Sequence, residues 1–187
     1  MTQNYTRILE DILKTARIFA AGNGYDYAET SHILAGMLSS NDSFGQNILT
    51  DHDVTIETVL DEIEQHQLPD QTKAVQAIQF SPKVEQLLFE ADALAAQNHL
   101  AETGSEHLLY VMLTDDDNDA KKILELHKIK IAEILKDLIE LGNMNVKKIA
   151  KKAVTPMGKR DIASGVSATS ITPTLDSVAR DVTEDAR

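Results

Sequence analysis

The sequence contains no cysteine among its 187 residues. This absence excludes a disulfide framework, a thiolate metal site and a cysteine nucleophile, and it fits a reducing compartment. No run of 18 apolar residues is present, so no membrane span is predicted. The first residues, MTQNYTRILED, are polar and acidic, whereas a secretory signal is basic and then apolar. We therefore predict a cytoplasmic protein.

Positive charge is scarce, with 18 Lys and Arg against 30 Asp and Glu and a net charge of −12. Residues 1–140 hold 25 acidic and 10 basic side chains, whereas residues 141–187 hold 5 and 8. An acidic globule repels nucleic acid and anionic membranes, so we predict neither as a partner. Apolar residues make up 42% of the chain, which suffices for the core of one domain. The length suits a domain of about 140 to 150 residues followed by a tail.

A phosphate-binding loop is also missing, because no stretch matches G-x-x-x-x-G-K-[ST]. The one suggestive tripeptide, Gly158 to Arg160, lacks the earlier glycine, since Ala153 occupies that position. We predict that this chain does not hydrolyse ATP.

The chain does contain an internal duplication with an offset of 75 positions. ETSHILAGML, residues 29–38, aligns with GSEHLLYVML, residues 104–113, and places His32 on His107. The same offset aligns residues 5–63 with residues 80–138 without a gap and preserves most apolar positions. Self-similarity at a fixed period indicates a repeated structural unit.

Within each copy the apolar residues recur at steps of three and four, which predicts helices, and no strand alternation is visible. We predict four helices in each copy: 6–22, 30–40, 44–51 and 55–66, then 81–98, 105–114, 118–127 and 130–141. The predicted fold class is therefore all-α, an array of eight helices built from two four-helix halves related by a pseudo-twofold axis.

Hydroxyl side chains precede several of these helices. Thr6 and Ser81 are predicted to cap the first helix of each copy, with Pro82 at the first helical position, where its missing N–H costs nothing. Thr30 and Ser105 are predicted to cap the second helices.

The two copies resemble the Clp N-terminal repeat domain, which precedes the ATPase modules of Clp AAA+ unfoldases. The resemblance rests on a Gly-Thr-Glu-His type signature at the start of each second helix, and it covers residues 1–141. TPTLDSVARDVTEDAR, residues 172–187, resembles the lead-in to the first ATPase module. YAETSHIL in the first copy is most similar to the ClpC type, the unfoldase partner of the ClpP peptidase.

The resemblance implies a module that binds protein substrates or adaptors, with AAA+ modules and a peptidase ring as partners in the full-length assembly. It implies ATP only in those modules, no cofactor in this chain, and a monomeric isolated domain. Two alternatives remain. One is a free-standing domain that regulates a Clp complex or sequesters its adaptors. The other is a small hydrolase that uses Ser105 and His107.

The signature differs between the copies. It reads Gly104, Ser105, Glu106, His107 in the second copy and Glu29, Thr30, Ser31, His32 in the first. The ClpC-type resemblance implies recognition of phosphorylated arginine, since N–H groups at a helix start bind anions and a carboxylate binds a guanidinium. The second copy keeps both parts in Ser105 and Glu106.

The first copy keeps only the part that binds the anion, at Thr30 and Ser31. It has both parts only if Glu29, which lies earlier in the signature, replaces the missing glutamate. The simpler reading of Glu106 is a first-turn carboxylate that favours the helix dipole.

Other candidate sites are weaker. A zinc site lacks local ligand spacing, and each histidine fits a structural role in the first helical turn. LTDDDNDAKK, residues 113–122, lacks the glycine and glutamate of a calcium loop and reads as a solvated turn.

The predicted domain occupies residues 1–142, with repeats at 5–66 and 80–141 joined by a polar stretch over 65–76. We predict a short basic helix over 143–154, a flexible linker over 155–175 and the lead-in over 176–187. The basic stretch lacks the interleaved aromatic residues of nucleic-acid-binding segments.

Overall fold

The structure, a computed structural model, describes residues 4–65 and 78–145. Within those two ranges the chain forms eight helices and two very short strands. In chain order they are α1 Arg7–Gly22, β1 Tyr27–Ala28, α2 Thr30–Leu38, α3 Phe44–Asp51, α4 Ile56–Gln65, β2 Gln79–Phe80, α5 Pro82–Gln97, α6 Ser105–Thr114, α7 Asp119–Leu126 and α8 Ile131–Leu141. The all-α prediction is confirmed, and every predicted helix end lies within two residues of the observed one.

Several predicted segments lie outside the described residues. They are almost all of the polar stretch over 65–76, the basic helix beyond residue 145, the linker over 155–175 and the lead-in over 176–187.

The first helix of each copy begins as its capping residue predicts. The Thr6 hydroxyl accepts a hydrogen bond from the Leu9 N–H at 3.2 Å, and the Ser81 hydroxyl accepts from the Val84 N–H at 3.3 Å. Pro82 occupies the first helical position of α5. These bonds satisfy N–H groups that have no partner within the helix.

The predicted caps of α2 and α6 are wrong. The N-cap residues are Glu29 and Gly104, and Thr30 and Ser105 are already the first residues of their helices. An N-cap side chain lies over the free N–H groups of the next turn, whereas a side chain one residue later points away from them. The two hydroxyls therefore bond elsewhere, to helices of the opposite copy.

Thr30 and Ser105 each cap the third helix of the other copy. The Thr30 hydroxyl accepts from the N–H groups of Asp119 and Ala120 at the start of α7, at 3.0 and 3.1 Å. The Ser105 hydroxyl accepts from the Gly45 N–H at the start of α3, at 3.1 Å. Since Gly45 and Ala120 are equivalent positions in the duplication, the two contacts are related by the pseudo-twofold axis.

The short strands also pair a segment of one copy with a segment of the other. β1 and β2 are parallel, with Ala28 opposite Phe80, and an isolated bridge joins Tyr5 to Thr103. Tyr5 is equivalent to Phe80, and Ala28 is equivalent to Thr103. Each pairing therefore joins the segment before the first helix of one copy to the segment before the second helix of the other. Two-residue strands are too short to show alternation, which explains why the sequence did not predict them.

A third exchange involves side chains. His52 Nε2 lies 2.8 Å from Asp137 Oδ2, and His127 Nε2 lies 3.1 Å from Glu62 Oε1. The offset of 75 converts the first pair into the second with its members swapped between copies. The two halves are thus interlocked by three kinds of reciprocal contact.

One continuous core runs through both copies. It contains equivalent apolar residues from the two halves, among them Leu34 with Leu109 and Met37 with Met112. Gly36 lies where α2 crosses α1, and a Cβ at this position would lie 2.7 Å from the Ile12 carbonyl oxygen. The first two helices therefore approach closely only because residue 36 has no side chain.

No helix in residues 4–65 and 78–145 combines the length and the apolar character needed to cross a membrane.

Candidate functional site

The signature histidines are internal to their helix starts. His32 Nδ1 accepts a hydrogen bond from the Glu29 N–H at 3.0 Å, and His107 Nδ1 accepts from the Gly104 N–H at 3.1 Å. Both rings are buried, and in the described part of the chain neither Nε2 has a hydrogen-bond partner. Burial lowers the pKa of His32 to about 4, so its ring is neutral at pH 7. This geometry is that of structural first-turn residues.

Ser105 is not placed as a nucleophile. The residue is 3% exposed, and its hydroxyl accepts a hydrogen bond from the Gly45 N–H. The Nδ1 atom of His107 is occupied by Gly104, so the ring does not activate the hydroxyl through that nitrogen. A Ser/His hydrolase needs an accessible nucleophile within reach of its base, and these residues do not provide one.

Glu106 bends back over the start of its own helix. Its Oε1 atom lies 3.1 Å from His107 Nδ1, and its carboxylate also interacts with the backbone N–H of Glu106. A Cβ on Gly104 would overlap both carboxylate oxygens, so the glycine provides the space for this conformation. The Glu106 side chain is 24% exposed and can still be reached from solvent.

These contacts set the charge state of Glu106. Burial raises the pKa of the Glu106 carboxyl, but the contact with His107 and the backbone N–H of Glu106 outweigh burial, and the pKa lies below its usual value. His107 Nδ1 bonds Gly104 only while unprotonated, whereas it donates to Glu106 only when protonated. The backbone N–H is therefore the contact that persists in both states of the ring.

In the first copy the equivalent region is a groove of about 510 Å³, which we call the interface groove. Residues of both copies line it: Tyr25, Glu29, Ser31, Glu62 and Ile63 from the first, and Asp119, Lys122, Ile123 and Leu126 from the second. Two of the predicted site residues, Glu29 and Ser31, therefore lie in one cavity. Thr30, between them, is buried and caps α7 instead.

The floor of the interface groove is apolar. The Tyr25 hydroxyl donates to the Ile63 carbonyl oxygen at 3.2 Å, and the ring packs edge-on against His32 with centroids 4.5 Å apart. Of the two other apolar residues that line the groove, Ile123 is buried, whereas Leu126 is 64% exposed. An exposed leucine beside a cavity enlarges the apolar surface that a ligand can cover.

The rim of the interface groove is mostly acidic. Glu29, Glu62 and Asp119 contribute carboxylates, and Lys122 is the one basic side chain among the lining residues. Lys122 Nζ lies 3.3 Å from Asp119 Oδ1, and this bond raises the pKa of the lysine. The rim therefore favours a cationic group over an anionic one.

Tyr25, Glu62, Asp119 and Leu126 did not emerge from the sequence as site residues. They share no motif and come from three different segments, the loop after α1, α4 and α7. Comparison of the copies offers one signal that could have identified a site residue. Leu126 is apolar, whereas the equivalent residue of the first copy is Asp51.

The acidic turn after α6 is neutralised by lysines. Lys83 Nζ lies 3.2 Å from Asp115 Oδ1, and Lys121 pairs with Asp116. In residues 4–65 and 78–145, no group of three or more His, Asp or Glu side chains is arranged to hold a metal ion.

The duplicated helices and the signature at each second helix lead to a known family. The Clp repeat (R) N-terminal domain family matches residues 4–127 and, in a second match, residues 79–186. The two matches begin 75 positions apart, which is the period of the duplication. The chain belongs to this family.

Relatives with curated names include two Clp proteins. The chain is 20% identical over all 187 residues to the chaperone protein ClpB of Oceanobacillus iheyensis, covering 22% of that protein. It is 22% identical over 161 residues to the ATP-dependent Clp protease ATP-binding subunit ClpC of Staphylococcus saprophyticus, covering 84% of this chain and 18% of that one. The Clp N-domain described here thus spans about a fifth of the length of these relatives.

Solved structures confirm the fold. The N-terminal domain of ClpD from Arabidopsis thaliana superposes with a TM-score of 0.62 at 14% identity, covering 73% of this chain and 95% of that one. The ClpV N-domain in complex with a VipB peptide superposes with a TM-score of 0.59 at 20% identity, covering 74% and 86%. The resemblance to the Clp N-terminal domain is confirmed, and the narrower assignment to the ClpC type stays a prediction.

Proposed function

We propose that this Clp N-domain captures protein substrates, or adaptors that carry them, for an ATP-driven Clp unfoldase and performs no chemistry itself. The observation that carries the proposal is the interface groove, an acidic and partly apolar cavity beside the start of α2. The groups that could act in catalysis, Ser105 and the two signature histidines, are buried and bonded within the fold. The ClpV N-domain bound to a VipB peptide supports a peptide-binding role for this fold.

At the second copy we propose recognition of phosphorylated arginine through Glu106. Its carboxylate now occupies the start of α6, where it satisfies its own N–H. Rotation of this side chain would place the carboxylate against a guanidinium and free the helix-start N–H groups for the phosphate. The Glu106 carboxylate would then have one position in the domain without ligand and another in the domain with phosphoarginine bound.

The larger assembly follows from the same proposal. The domain would deliver its ligand to AAA+ modules, which bind ATP and form the hexameric ring, and a ClpC-type ring would pass it to a peptidase in the cytoplasm. Tethering the captured ligand near the ring entrance would raise its effective concentration there.

Calorimetric titration of the chain with free phosphoarginine tests the proposal. We expect saturable binding that weakens by about tenfold or more in Glu106→Ala, which corresponds to the loss of a charge-assisted hydrogen bond. Glu102→Ala removes an exposed carboxylate four residues earlier and should leave binding unchanged. A stoichiometry near one would assign the site to the second copy.

Two outcomes would contradict this proposal. If the wild-type chain shows no saturation, phosphoarginine recognition is wrong. If Glu106→Ala binds as well as the wild type, recognition does not use Glu106, which then serves only the helix dipole.

A further inference from the structure

We infer that the interface groove binds an unphosphorylated protein segment in which a basic side chain lies next to a large apolar one. This inference rests on the proposed binding function and deepens it, because it gives the groove a ligand class different from that of Glu106. The observations behind it are the apolar floor, the charge of the rim and the differences between the two copies.

The apolar floor favours a large apolar side chain. Tyr25, Ile63 and Ile123 contribute apolar surface to the groove, and Leu126, which is 64% exposed, adds to it. Burial of apolar surface contributes about 25 cal/mol per Å², so covering Leu126 is favourable for a partner with an apolar residue. A volume of about 510 Å³ lies within the range of cavities that enclose a ligand.

The rim selects the charge of the partner. Three carboxylates, Glu29, Glu62 and Asp119, line the groove. Asp119 is bonded to Lys122, and Glu62 lies 3.1 Å from His127 Nε2, so the acidic lining residues outnumber the one lysine among them. A basic side chain placed at this rim meets a net negative field, whereas a phosphorylated arginine, with its doubly charged phosphate, is repelled. The rim therefore distinguishes a basic segment from its phosphorylated form.

The differences between the copies point the same way. Ser31 stands where the second copy has Glu106, so the carboxylate proposed to bind a phosphoguanidinium is absent here. Glu29, the N-cap residue of α2, stands where the second copy has Gly104, so the first copy has a carboxylate in the groove lining at this position. Leu126 stands where the first copy has Asp51. These changes together build an acidic and apolar surface at one of two equivalent places.

Fluorescence anisotropy with the full chain tests the inference. The probe is a fluorescein-labelled ten-residue peptide with two central leucines flanked by arginines. Two comparison peptides carry glutamates in place of the arginines, or serines in place of the leucines. We expect binding of the first peptide, and affinities weaker by about tenfold or more for the other two.

Matched variants locate the binding site. Leu126→Asp introduces the residue found at the equivalent position of the first copy. We expect it to lower the affinity for the probe by about tenfold or more. Leu141→Asp changes a leucine with nearly the same exposure, 65%, outside the groove and should leave the affinity within about twofold. Glu29→Gln should weaken binding by a few-fold and reduce its dependence on salt.

Three results would overturn the inference. The first is equal binding of the arginine and glutamate peptides, and the second is an unchanged affinity in Leu126→Asp. The third concerns the chain's own basic stretch. If replacing Lys147, Lys148, Lys151 and Lys152 with glutamine tightens probe binding by about tenfold, the groove's occupant is that stretch and not a partner.

Failure here is distinguishable from failure of the proposed function. Phosphoarginine titration reports on Glu106, in the second copy, and should be unaffected by Leu126→Asp. Loss of peptide binding with intact phosphoarginine binding would remove only the present inference, whereas loss of both in the wild type would remove the binding function as well.

Discussion

The Thr30 hydroxyl accepts a hydrogen bond from the Ala120 N–H at 3.1 Å, across 90 positions of the sequence. A residue of the first copy thereby satisfies the helix start of the second. The reciprocal contact, from the Gly45 N–H to the Ser105 hydroxyl, does the same in the opposite direction. Neither copy supplies all the caps of its own third helix, so the duplicated units are parts of one cooperative domain.

The cross-copy cap should contribute measurably to stability. Thr30→Val keeps the side-chain shape and removes the acceptor of two N–H groups, one of them buried. We expect the free energy of unfolding to fall by about 1–3 kcal/mol, the cost of leaving buried donors without a partner. Urea denaturation of the wild type and the variant measures this change in the free energy of unfolding.

Thr15→Val is the control for that change. Its hydroxyl also makes a hydrogen bond, to the Asp11 carbonyl oxygen, but at the surface of α1, so we expect a change within about 0.5 kcal/mol. Equal losses of unfolding free energy in the two variants would show that the cap across the copies contributes no more than a hydrogen bond at the surface.

The close crossing of α1 and α2 should not tolerate a methyl group. Gly36→Ala places a Cβ 2.7 Å from the Ile12 carbonyl oxygen, and backbone cannot yield as a side-chain tip can. We expect a loss of about 1–3 kcal/mol in the free energy of unfolding from overpacking. Gly22→Ala, at the end of α1, meets no atom within 4 Å and should be neutral. A neutral Gly36→Ala would mean that the two helices move apart at little cost.

Stability should fall on mild acidification because of His32. Its pKa is lowered from 6.5 to about 4 by burial, so below pH 6.5 the unfolded chain binds a proton that the folded chain does not. The contribution of this group is complete above pH 6.5 and declines down to pH 4. Between pH 7 and pH 5 we expect a loss of about 2 kcal/mol from this ring.

Comparison with His32→Gln isolates that contribution. Glutamine does not titrate, so the variant, although less stable at pH 7, should lose about 2 kcal/mol less than the wild type between pH 7 and pH 5. Parallel pH profiles for the two proteins would contradict a neutral buried ring.

The conformation of Glu106 should depend on the glycine two residues earlier. Gly104→Ala forces the carboxylate away from the helix start, because the new Cβ would overlap its oxygens. We expect the pKa of Glu106 to rise towards its usual value as it loses the contacts that lower it. A carboxyl NMR titration of the wild type and the variant measures this change. An unchanged Glu106 titration would show that the carboxylate does not need the space above residue 104.

The duplicated positions also diverged in pairs, which the sequence alone did not reveal. The Arg17 guanidinium lies 4.3 Å from the centre of the Phe80 ring. Its equivalent, Asp92, instead accepts a hydrogen bond from the Thr103 hydroxyl at 2.7 Å, where the first copy has Ala28. The second copy thus has an anion where the first has a cation, and it also has a hydroxyl donor for that anion where the first copy has an alanine.

A small part of the groove lining was predictable from the sequence, but most of it was not. The signature residues were named from the aligned copies, and Glu29 and Ser31 do share a cavity. Thr30 and Ser105 were expected to cap their own helices, and the error arose because a shift of one residue at a helix start redirects the side chain. The other walls of the groove come from α4 and α7, which no local pattern connects to the signature.

The sequence by itself determined the eight helices, their order and the duplication, because apolar spacing and capping residues act over three or four positions. Its signature also sufficed to name the family. Only the tertiary structure decided that the copies exchange caps, strand pairs and His–carboxylate contacts, and that residues 29, 62 and 119 line one groove. Those contacts join residues as many as 90 positions apart, and their partners are chosen by the packing of the shared core rather than by any local pattern.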